Sequence, residues 1–215
     1  MENLVIIIST NTDGRTLRYP VSEITREELK NFQQFLGLTD EDVAGIEASI
    51  VSQFPTKCDD LSSEKNVDYT RLRDLLAAGK WKEADEETLT VMLKAAGREQ
   101  EGYLDVESIK TFPCADLRTI DRLWVKYSDG RLGFSVQKGI WESVGGKPDR
   151  YDKEIFKEFG ARVGWCVKGG WIEDYSNISF SLNAPQGHLP VEVMRFDMEV
   201  VYWGFFVSLL SRRDL

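Results

Sequence analysis

The residues that could carry chemistry are few in this 215-residue sequence, which contains one histidine, His188, and three widely spaced cysteines, Cys58, Cys114 and Cys166. One histidine excludes the HExxH zinc site and any metal site built on two histidines. Cys166 and His188 are the one pair suited to nucleophilic catalysis, but a buried thiol and a turn histidine are favoured because no local signature accompanies them. Acidic residues are too numerous for a catalytic carboxylate pair to be picked out. Catalysis is therefore not indicated.

Other common functional patterns are also missing from the sequence. It contains no GxxxxGK[ST], GxGxxG or GxSxG motif, so neither a phosphate-binding loop nor a hydrolase nucleophile elbow is supported. The net charge of -9, without a basic stripe, argues against a nucleic-acid partner. Cysteines that are odd in number and form no CxxC pair favour a reducing compartment. With no convincing signal peptide and no apolar run long enough to span a membrane, we expect a soluble protein.

Binding is better supported, above all by the long segment 161–190, ARVGWCVKGGWIEDYSNISFSLNAPQGHLP. It has no helical period, and a long irregular segment is usually either functional or disordered; its aromatic content argues against disorder. A second apolar edge is expected near residues 103–109. Apolar side chains on such segments either line a ligand cleft or simply cover the helical core, and physical reasoning alone leaves both open. Those in the long segment are Trp165, Trp171, Tyr175, Phe180 and Leu182.

The stretch Asp116–Trp141 is expected to supply the core that positions these segments. Its first half predicts a helix with one apolar face, because Leu117, Ile120, Leu123, Trp124 and Tyr127 repeat at three- and four-residue spacing. Residues 128–130, Ser-Asp-Gly, then form a turn. Apolar residues return between Phe134 and Trp141. We expect these two segments to pack on each other as the scaffold of the domain.

Helical patterns lie on both sides of this stretch. Asp68 is a candidate N-cap for a helix reaching Ala78, and after Gly79 a second helix completes an αα-hairpin. A short helix is expected before residue 110 and another over 151–160. The apolar run at 200–210 predicts a C-terminal helix that packs on the core, the alternative being a peripheral contact with a membrane.

The N-terminal part of the chain predicts a separate accessory module over residues 1–52. Two short strands around a turn are followed by two helices, for which Thr25 and Thr39 are the expected caps. Residues 53–66 are polar, contain proline and serine, and are the best linker candidate. The predicted organisation is therefore a module at 1–52, a linker at 53–66 and a core domain at 67–215.

Several long blocks of sequence are recognisable as a series. DYTRLRDLLAAGKWKEADEET, DLRTIDRLWVKYSDGRLGFSVQKGIW, VGW and NAPQGHLP follow one another between Val67 and Pro190, and together they resemble the genomes-uncoupled family of tetrapyrrole-binding proteins. The resemblance implies a mainly α fold with a helical, cupped-hand core, here joined to the N-terminal hairpin and two-helix module. It implies a non-enzymatic protein of a cyanobacterial cytoplasm or a plastid stroma. Such a protein binds protoporphyrin IX or Mg-protoporphyrin IX and stimulates magnesium chelatase through its large porphyrin-binding subunit.

The resemblance also assigns ligand-binding residues to two walls. The first wall is Leu104, Val106 and Ile109, and the second is Trp165, Trp171, Ile178, Phe180 and Leu182. A flat macrocycle needs broad apolar faces, and its propionates need a cation near the rim, for which the segment after the GHLP turn offers Arg195. His188 in that turn is expected to be structural rather than an axial metal ligand, so no protein-bound metal is expected.

A second hypothesis keeps the fold and changes the function. On it, the chain is an interaction or signalling module in which the pigment has changed, for example to a linear bilin, or has been lost. The accessory module at residues 1–52 would then dock a protein. Since one fold hosts many functions, the resemblance alone does not decide between the two hypotheses.

Overall fold

A computed structural model of the chain describes residues 59–148, 150–194 and 201–215, with the backbone alone at 194 and 201–203. By its internal contacts the chain divides into two units, Met1–Cys58 and Asp59–Leu215. In the first unit only Gln34, Gly37, Thr39, Glu41 and Asp42 are described, so the predicted hairpin and the Thr25 cap lie outside the described residues. The cap at Thr39 is confirmed. Its hydroxyl accepts the Asp42 amide at 3.1 Å, and the Asp42 carboxylate accepts the Thr39 amide at 2.8 Å.

The described part of the second unit is built from seven α-helices, one two-stranded antiparallel hairpin and two 3-10 turns. The mainly α fold predicted from the sequence is confirmed. The helices are α1 (Thr70–Ala77), α2 (Trp81–Ala96), α3 (Val106–Lys110), α4 (Cys114–Tyr127), α5 (Phe134–Ser143), α6 (Lys153–Val163) and α7 (Val201–Leu210). The strands are β1 (Cys166–Val167) and β2 (Gly170–Trp171), and the 3-10 turns are Tyr175–Asn177 and Glu192–Met194.

Helices α1 and α2 form the predicted αα-hairpin. The carboxylate of Asp68 accepts the amide of Thr70 at 2.9 Å, at the start of α1. Gly79 and Gly97 both have φ of 67°, a left-handed conformation that suits glycine, and they follow α1 and α2 respectively. The inward faces of the two helices contribute buried apolar side chains, which include Leu72, Leu76, Ala84, Val91 and Met92.

Helices α4 and α5 are the scaffold expected from Asp116–Trp141. Trp124 and Trp141 are both buried, and the Trp124 indole N–H donates to the hydroxyl of Thr88 on α2 at 2.9 Å. The turn between α4 and α5 is closed by Asp121, whose carboxylate accepts the Ser135 amide at 2.8 Å. The stretch thus joins α2, α4 and α5 in one core.

Residues 59–66, which composition assigns to a linker, lie against α4 and are called the strap below. Asp116, buried on α4, accepts hydrogen bonds from the Glu64 amide at 2.8 Å, the Tyr69 hydroxyl at 2.7 Å and the Ser63 hydroxyl. Nearer the start of the strap, Asp59 pairs with Lys126 on α4 at 2.5 Å. This half of the expected linker is therefore attached to the second unit. The functional boundaries of the domains stay a prediction.

The C-terminal helix α7 packs in the core, as predicted from its apolar run. Its described side chains from Phe205 to Val207 and at Leu209 and Leu210 are buried. After the helix, Arg212 donates to the carbonyls of Ile109 and Phe112, both at 2.8 Å, and so fastens the chain end to α3. Within the described residues, no helix combines the length and the apolar character needed to cross a membrane.

Candidate functional site

An aromatic cluster connects α6, the β-hairpin and α7. Phe206 of α7 has its ring centre 5.6 Å from Phe156, 5.0 Å from Phe159 and 5.6 Å from Trp165. Trp171, on β2, lies at the edge of the cluster with its ring centre 5.0 Å from Phe156. Trp165 is buried, whereas Trp171 is half-buried. The first residues of the predicted second wall therefore pack in an aromatic cluster, in which tilted and edge-on ring pairs add to the energy of apolar burial.

Helix α7 packs against the residues of the predicted first wall. Leu104 and Ile109 are buried, and Val106 is half-buried at the start of α3. Val106 packs so closely on Gly204 of α7 that a Cβ at Gly204 would lie 3.1 Å from its Cγ2. Helix α7 thus supports the first wall through Gly204 and the second through Phe206.

The far end of the second wall lies beside α2. The Phe180 ring packs edge-on against Tyr175 with the ring centres 5.1 Å apart, and Lys82 of α2 has its Nζ 6.0 Å from the centre of the Phe180 ring. Phe180 is half-buried, and Leu182, two residues later in the chain, is 37% exposed. A partly accessible aromatic ring and a lysine cation therefore occur together here, with an accessible leucine two residues further along the chain.

The predicted ligand residues fall into classes by exposure. Leu104, Ile109, Trp165 and Ile178 are buried in the core; Val106, Trp171 and Phe180 are half-buried; Leu182 is exposed; and Arg195 lies outside the described residues. Only the half-buried and exposed side chains can meet a ligand without opening the core. The buried four support the walls from within.

The turn at the end of the long segment is fixed by His188. Its Nδ1–H donates to the Val163 carbonyl at 2.6 Å, and its Nε2 accepts the Ser179 amide at 3.2 Å. Burial lowers the pKa of His188, so the ring is neutral, as these two partners require. Both nitrogens are engaged, so the ring serves neither as a metal ligand nor as a base for Cys166. The structural role expected for His188 is confirmed.

Two polar side chains that sequence reasoning missed also hold this segment. Gln137 of α5 donates from its amide to the carbonyls of Gly187 and Pro190, at 3.0 and 2.9 Å. Arg131 donates to the carbonyl of Leu182 at 3.0 Å. The long segment is therefore fastened to the α4–α5 scaffold through its own backbone, which no side-chain pattern reveals.

The third missed residue is Asp85, which is fully buried on α2. Its Oδ1 accepts the Val191 amide at 2.7 Å, and its Oδ2 accepts the Glu192 amide at 3.0 Å and the Tyr175 hydroxyl at 2.9 Å. Burial raises the pKa of Asp85 to about 7. One signal was available: Asp85 lies at helical spacing between Trp81 and the buried Thr88, so a carboxylate interrupts the inward stripe.

Sequence comparison places this chain among known proteins. The GUN4-like family model matches residues 62–201. A Ycf53-like protein of Synechocystis sp. is 32% identical over 148 residues, which are 68% of this chain and 60% of that protein. The chloroplastic tetrapyrrole-binding protein of Arabidopsis thaliana is 33% identical over 131 residues, 56% of this chain and 46% of that protein. The chain thus spans only about half the length of these relatives.

Solved structures give the same result. GUN4 from Chlamydomonas reinhardtii matches with a TM-score of 0.57 and 27% identity, covering 72% of this chain and 94% of that one. The ligand-free structure of Arabidopsis thaliana GUN4 matches with a TM-score of 0.56 and 27% identity, covering 71% and 97%. The matched family region begins in the strap and continues to the first residue of α7. Because the family model covers well over half of the sequence, this chain belongs to the GUN4-like family.

Proposed function

We propose that this chain binds a tetrapyrrole, protoporphyrin IX or Mg-protoporphyrin IX, as a carrier or regulator without catalytic activity of its own. Membership of the GUN4-like family supports this proposal, as does a relative named a tetrapyrrole-binding protein. The magnesium of the second ligand belongs to the macrocycle, so the protein has to recognise a flat apolar ring and its two carboxylates.

The observation that carries the proposal is the accessible aromatic edge of the long segment. Trp171 and Phe180 are half-buried and each packs on an aromatic neighbour, so part of each ring is accessible while the neighbour fixes its position. A tetrapyrrole stacks on such faces, and burying its apolar surface contributes roughly 25 cal/mol per Å² before the costs of association are subtracted. Lys82, with 54% of its side chain exposed, supplies a cation beside Phe180 for a propionate. Arg195 is the proposed second cation.

The proposal extends to a partner. On this view the pigment-loaded protein acts on magnesium chelatase through its large porphyrin-binding subunit, in a cyanobacterial cytoplasm or a plastid stroma. Relatives from Synechocystis and from the Arabidopsis chloroplast support such a setting.

Pigment titration tests the proposal directly. Because Trp165 and Trp171 both belong to the predicted second wall, bound porphyrin should quench tryptophan fluorescence. We expect saturable quenching by protoporphyrin IX at micromolar concentration, weakened by Phe180→Ala and by Arg195→Glu. A panel containing Mg-protoporphyrin IX and a linear bilin would rank the ligands. Absence of saturable quenching by every member of the panel would reject tetrapyrrole binding.

A second candidate function is supported by the part of the chain that precedes the family match at residue 62. On this alternative the family fold is an interaction module, with altered or lost pigment binding, that docks a protein through residues 1–52. It requires a stable partner that binds the full chain and not residues 59–215, with no pigment bound. Equal partner binding after removal of the N-terminal unit would count against it.

A further inference from the structure

Asp85 connects two segments that the proposed site depends on. One is the long segment, in which Tyr175 bonds Asp85 and packs against the ring of Phe180. The other is the segment after the GHLP turn, whose Val191 and Glu192 amides both donate to Asp85. A single buried carboxylate on α2 therefore fixes the aromatic end of the second wall and the start of the segment that carries Arg195.

The protonation state of Asp85 decides how well it can do this. All three of its partners are donors: two backbone amides and one phenol. An ionised carboxylate accepts from all three and gives charge-assisted bonds. A protonated carboxyl has one good acceptor oxygen and a donor of its own, which can bond the Tyr175 oxygen but finds no acceptor in either backbone N–H, so one amide bond is lost. The neutral form therefore holds the two segments by fewer and weaker bonds.

Two titratable residues bear directly on the protonation of Asp85. Tyr175 and Glu192 contact it directly; the negative charge of Glu192 favours the protonated form, and the pKa of Tyr175 is raised by burial, so the phenol stays neutral. His188, three residues before Val191, is neutral because burial lowers its pKa. On α2 itself, Lys82 pairs with Glu86, and the buried Glu87 pairs with Arg71 of α1.

We propose that Asp85 is a positioning residue of the tetrapyrrole site: its carboxylate holds Tyr175 and the Val191–Glu192 backbone in the ligand-ready arrangement, and binding of a proton to it releases them. This inference rests on the proposed function. It adds a pH-dependent affinity, with tighter pigment binding above neutrality. Burial raises the pKa of Asp85 to about 7, which sets the expected transition between pH 6 and pH 8.

The test measures porphyrin affinity against pH for four proteins. In the wild type we expect affinity to rise about tenfold from pH 6 to pH 8, the difference between neutral and charge-assisted hydrogen bonds. Asp85→Asn, which resembles the protonated acid, should remain at the low-pH affinity throughout. Tyr175→Phe removes a bond to the ionised form and should shift the midpoint to higher pH. Asp121→Asn, a matched buried carboxyl that bonds Ser135 instead, should keep the wild-type profile.

The ratio of wild-type to Asp85→Asn affinity at each pH cancels the titration of the porphyrin itself. A ratio that stays constant from pH 6 to pH 8, or a Tyr175→Phe midpoint equal to that of the wild type, would overturn the inference.

Amide hydrogen exchange at Val191 and Glu192 tests the role of Asp85 without any pigment. After correction for intrinsic rates, both amides should be about tenfold better protected at pH 8 than at pH 6 in the wild type and equally protected at both in Asp85→Asn. If no protein bound porphyrin while this exchange pattern appeared, the proposed function would fail and the role of Asp85 in positioning would stand. If porphyrin bound but exchange were unaffected by the variant, the inference would fail alone.

Discussion

The indole of Trp171 lies directly over Gly160, so that a Cβ at Gly160 would overlap the far end of the ring. Gly160 is buried inside α6, where glycine costs roughly 0.5–1 kcal/mol of stability relative to alanine. The helix tolerates that cost because Trp171, a residue of the second wall, occupies the space that a side chain would fill. Gly160 of α6 thus provides the space in which Trp171, a proposed ligand residue, packs.

Gly160→Ala should therefore displace Trp171 without removing it. We expect the overlap to outweigh the gain in helix propensity and to lower the free energy of unfolding by about 1–2 kcal/mol, as measured by urea denaturation. Porphyrin quenching should weaken as well if Trp171 contacts the pigment.

Gly139→Ala is the matched control, since Gly139 is an exposed residue inside α5 with no atom near its Cβ position. This variant should gain about 0.5–1 kcal/mol and bind pigment normally. If Gly160→Ala stabilised the protein as much as Gly139→Ala does, Trp171 would move at no cost in free energy, and its position would not depend on Gly160.

The strap gives a prediction about where the core domain begins. A fragment of residues 59–215 should be as stable as that domain in the full chain, because it keeps Ser63 and Glu64 on Asp116. A fragment of residues 67–215 leaves this buried carboxylate with the Tyr69 hydroxyl and should lose about 3 kcal/mol. Denaturant midpoints of the two fragments, at equal m-values, measure the difference.

Single substitutions in the full chain separate the strap's hydrogen bonds from its length. Ser63→Ala removes one hydroxyl donor from Asp116 and should cost about 1–2 kcal/mol. Ser62→Ala is the neighbouring control, because the Ser62 hydroxyl faces Asp60 at the surface. If the fragments 59–215 and 67–215 unfolded at the same urea concentration, residues 59–66 would act only as a linker and would not stabilise the domain.

The helices of this fold could be predicted because their signals are periodic. Leu117, Ile120, Leu123 and Trp124 recur at helical spacing, and each is buried on α4. Gly79 and Gly97 end the preceding helices in the left-handed conformation that glycine adopts easily. Such patterns are local, so a single sequence reveals them.

The fastening of the long segment could not be predicted, because its bonds join residues far apart in the chain. Asp85 meets Val191 across 106 positions, and Gln137 meets Pro190 across 53. Both use backbone groups as partners, and backbone groups carry no residue-specific signal. The polar composition of residues 53–66 likewise describes exposure and cannot reveal that Asp116 binds Ser63 and Glu64.

His188 should give the protein an acid-sensitive contribution to stability. Its pKa is lowered in the folded state by burial, so below about pH 6.5 the unfolded chain takes up a proton that the folded chain excludes. The contribution is therefore complete above pH 6.5 and is lost as the pH falls toward the folded-state pKa. His188→Asn keeps a donor for the Val163 carbonyl and loses the acceptor for Ser179, which should cost about 1–3 kcal/mol at pH 8.

Urea denaturation of wild type and His188→Asn at several values from pH 5 to pH 8 provides the measurement. The stability difference between the two should shrink as the pH is lowered, since only the wild type has the imidazole to protonate. Asp85 is common to both proteins, so its opposite pH dependence cancels in the difference. A stability difference that did not change with pH would mean that His188 titrates equally in the folded and unfolded states.

The last prediction concerns the cation beside Phe180. If Lys82 meets a propionate, Lys82→Glu should weaken binding of protoporphyrin IX about fivefold, the effect of an exposed ion pair, and the loss should shrink in high salt. The dimethyl ester of the same porphyrin carries no carboxylate, so its affinity should be unchanged by the substitution. Fluorescence quenching titrations with both ligands separate recognition of charge from recognition of the ring.

Lys94 provides the control for net charge, because it is an exposed lysine on the same helix and lies about 18 Å further along at 1.5 Å per residue. Lys94→Glu changes the protein's charge as Lys82→Glu does and should leave both affinities near the wild-type values. Equal weakening by the two variants would reduce the effect to long-range electrostatics. Weaker binding of the ester by Lys82→Glu would instead assign Lys82 to the shape of the Phe180 face, through its cation–π contact, and not to the ligand's carboxylate.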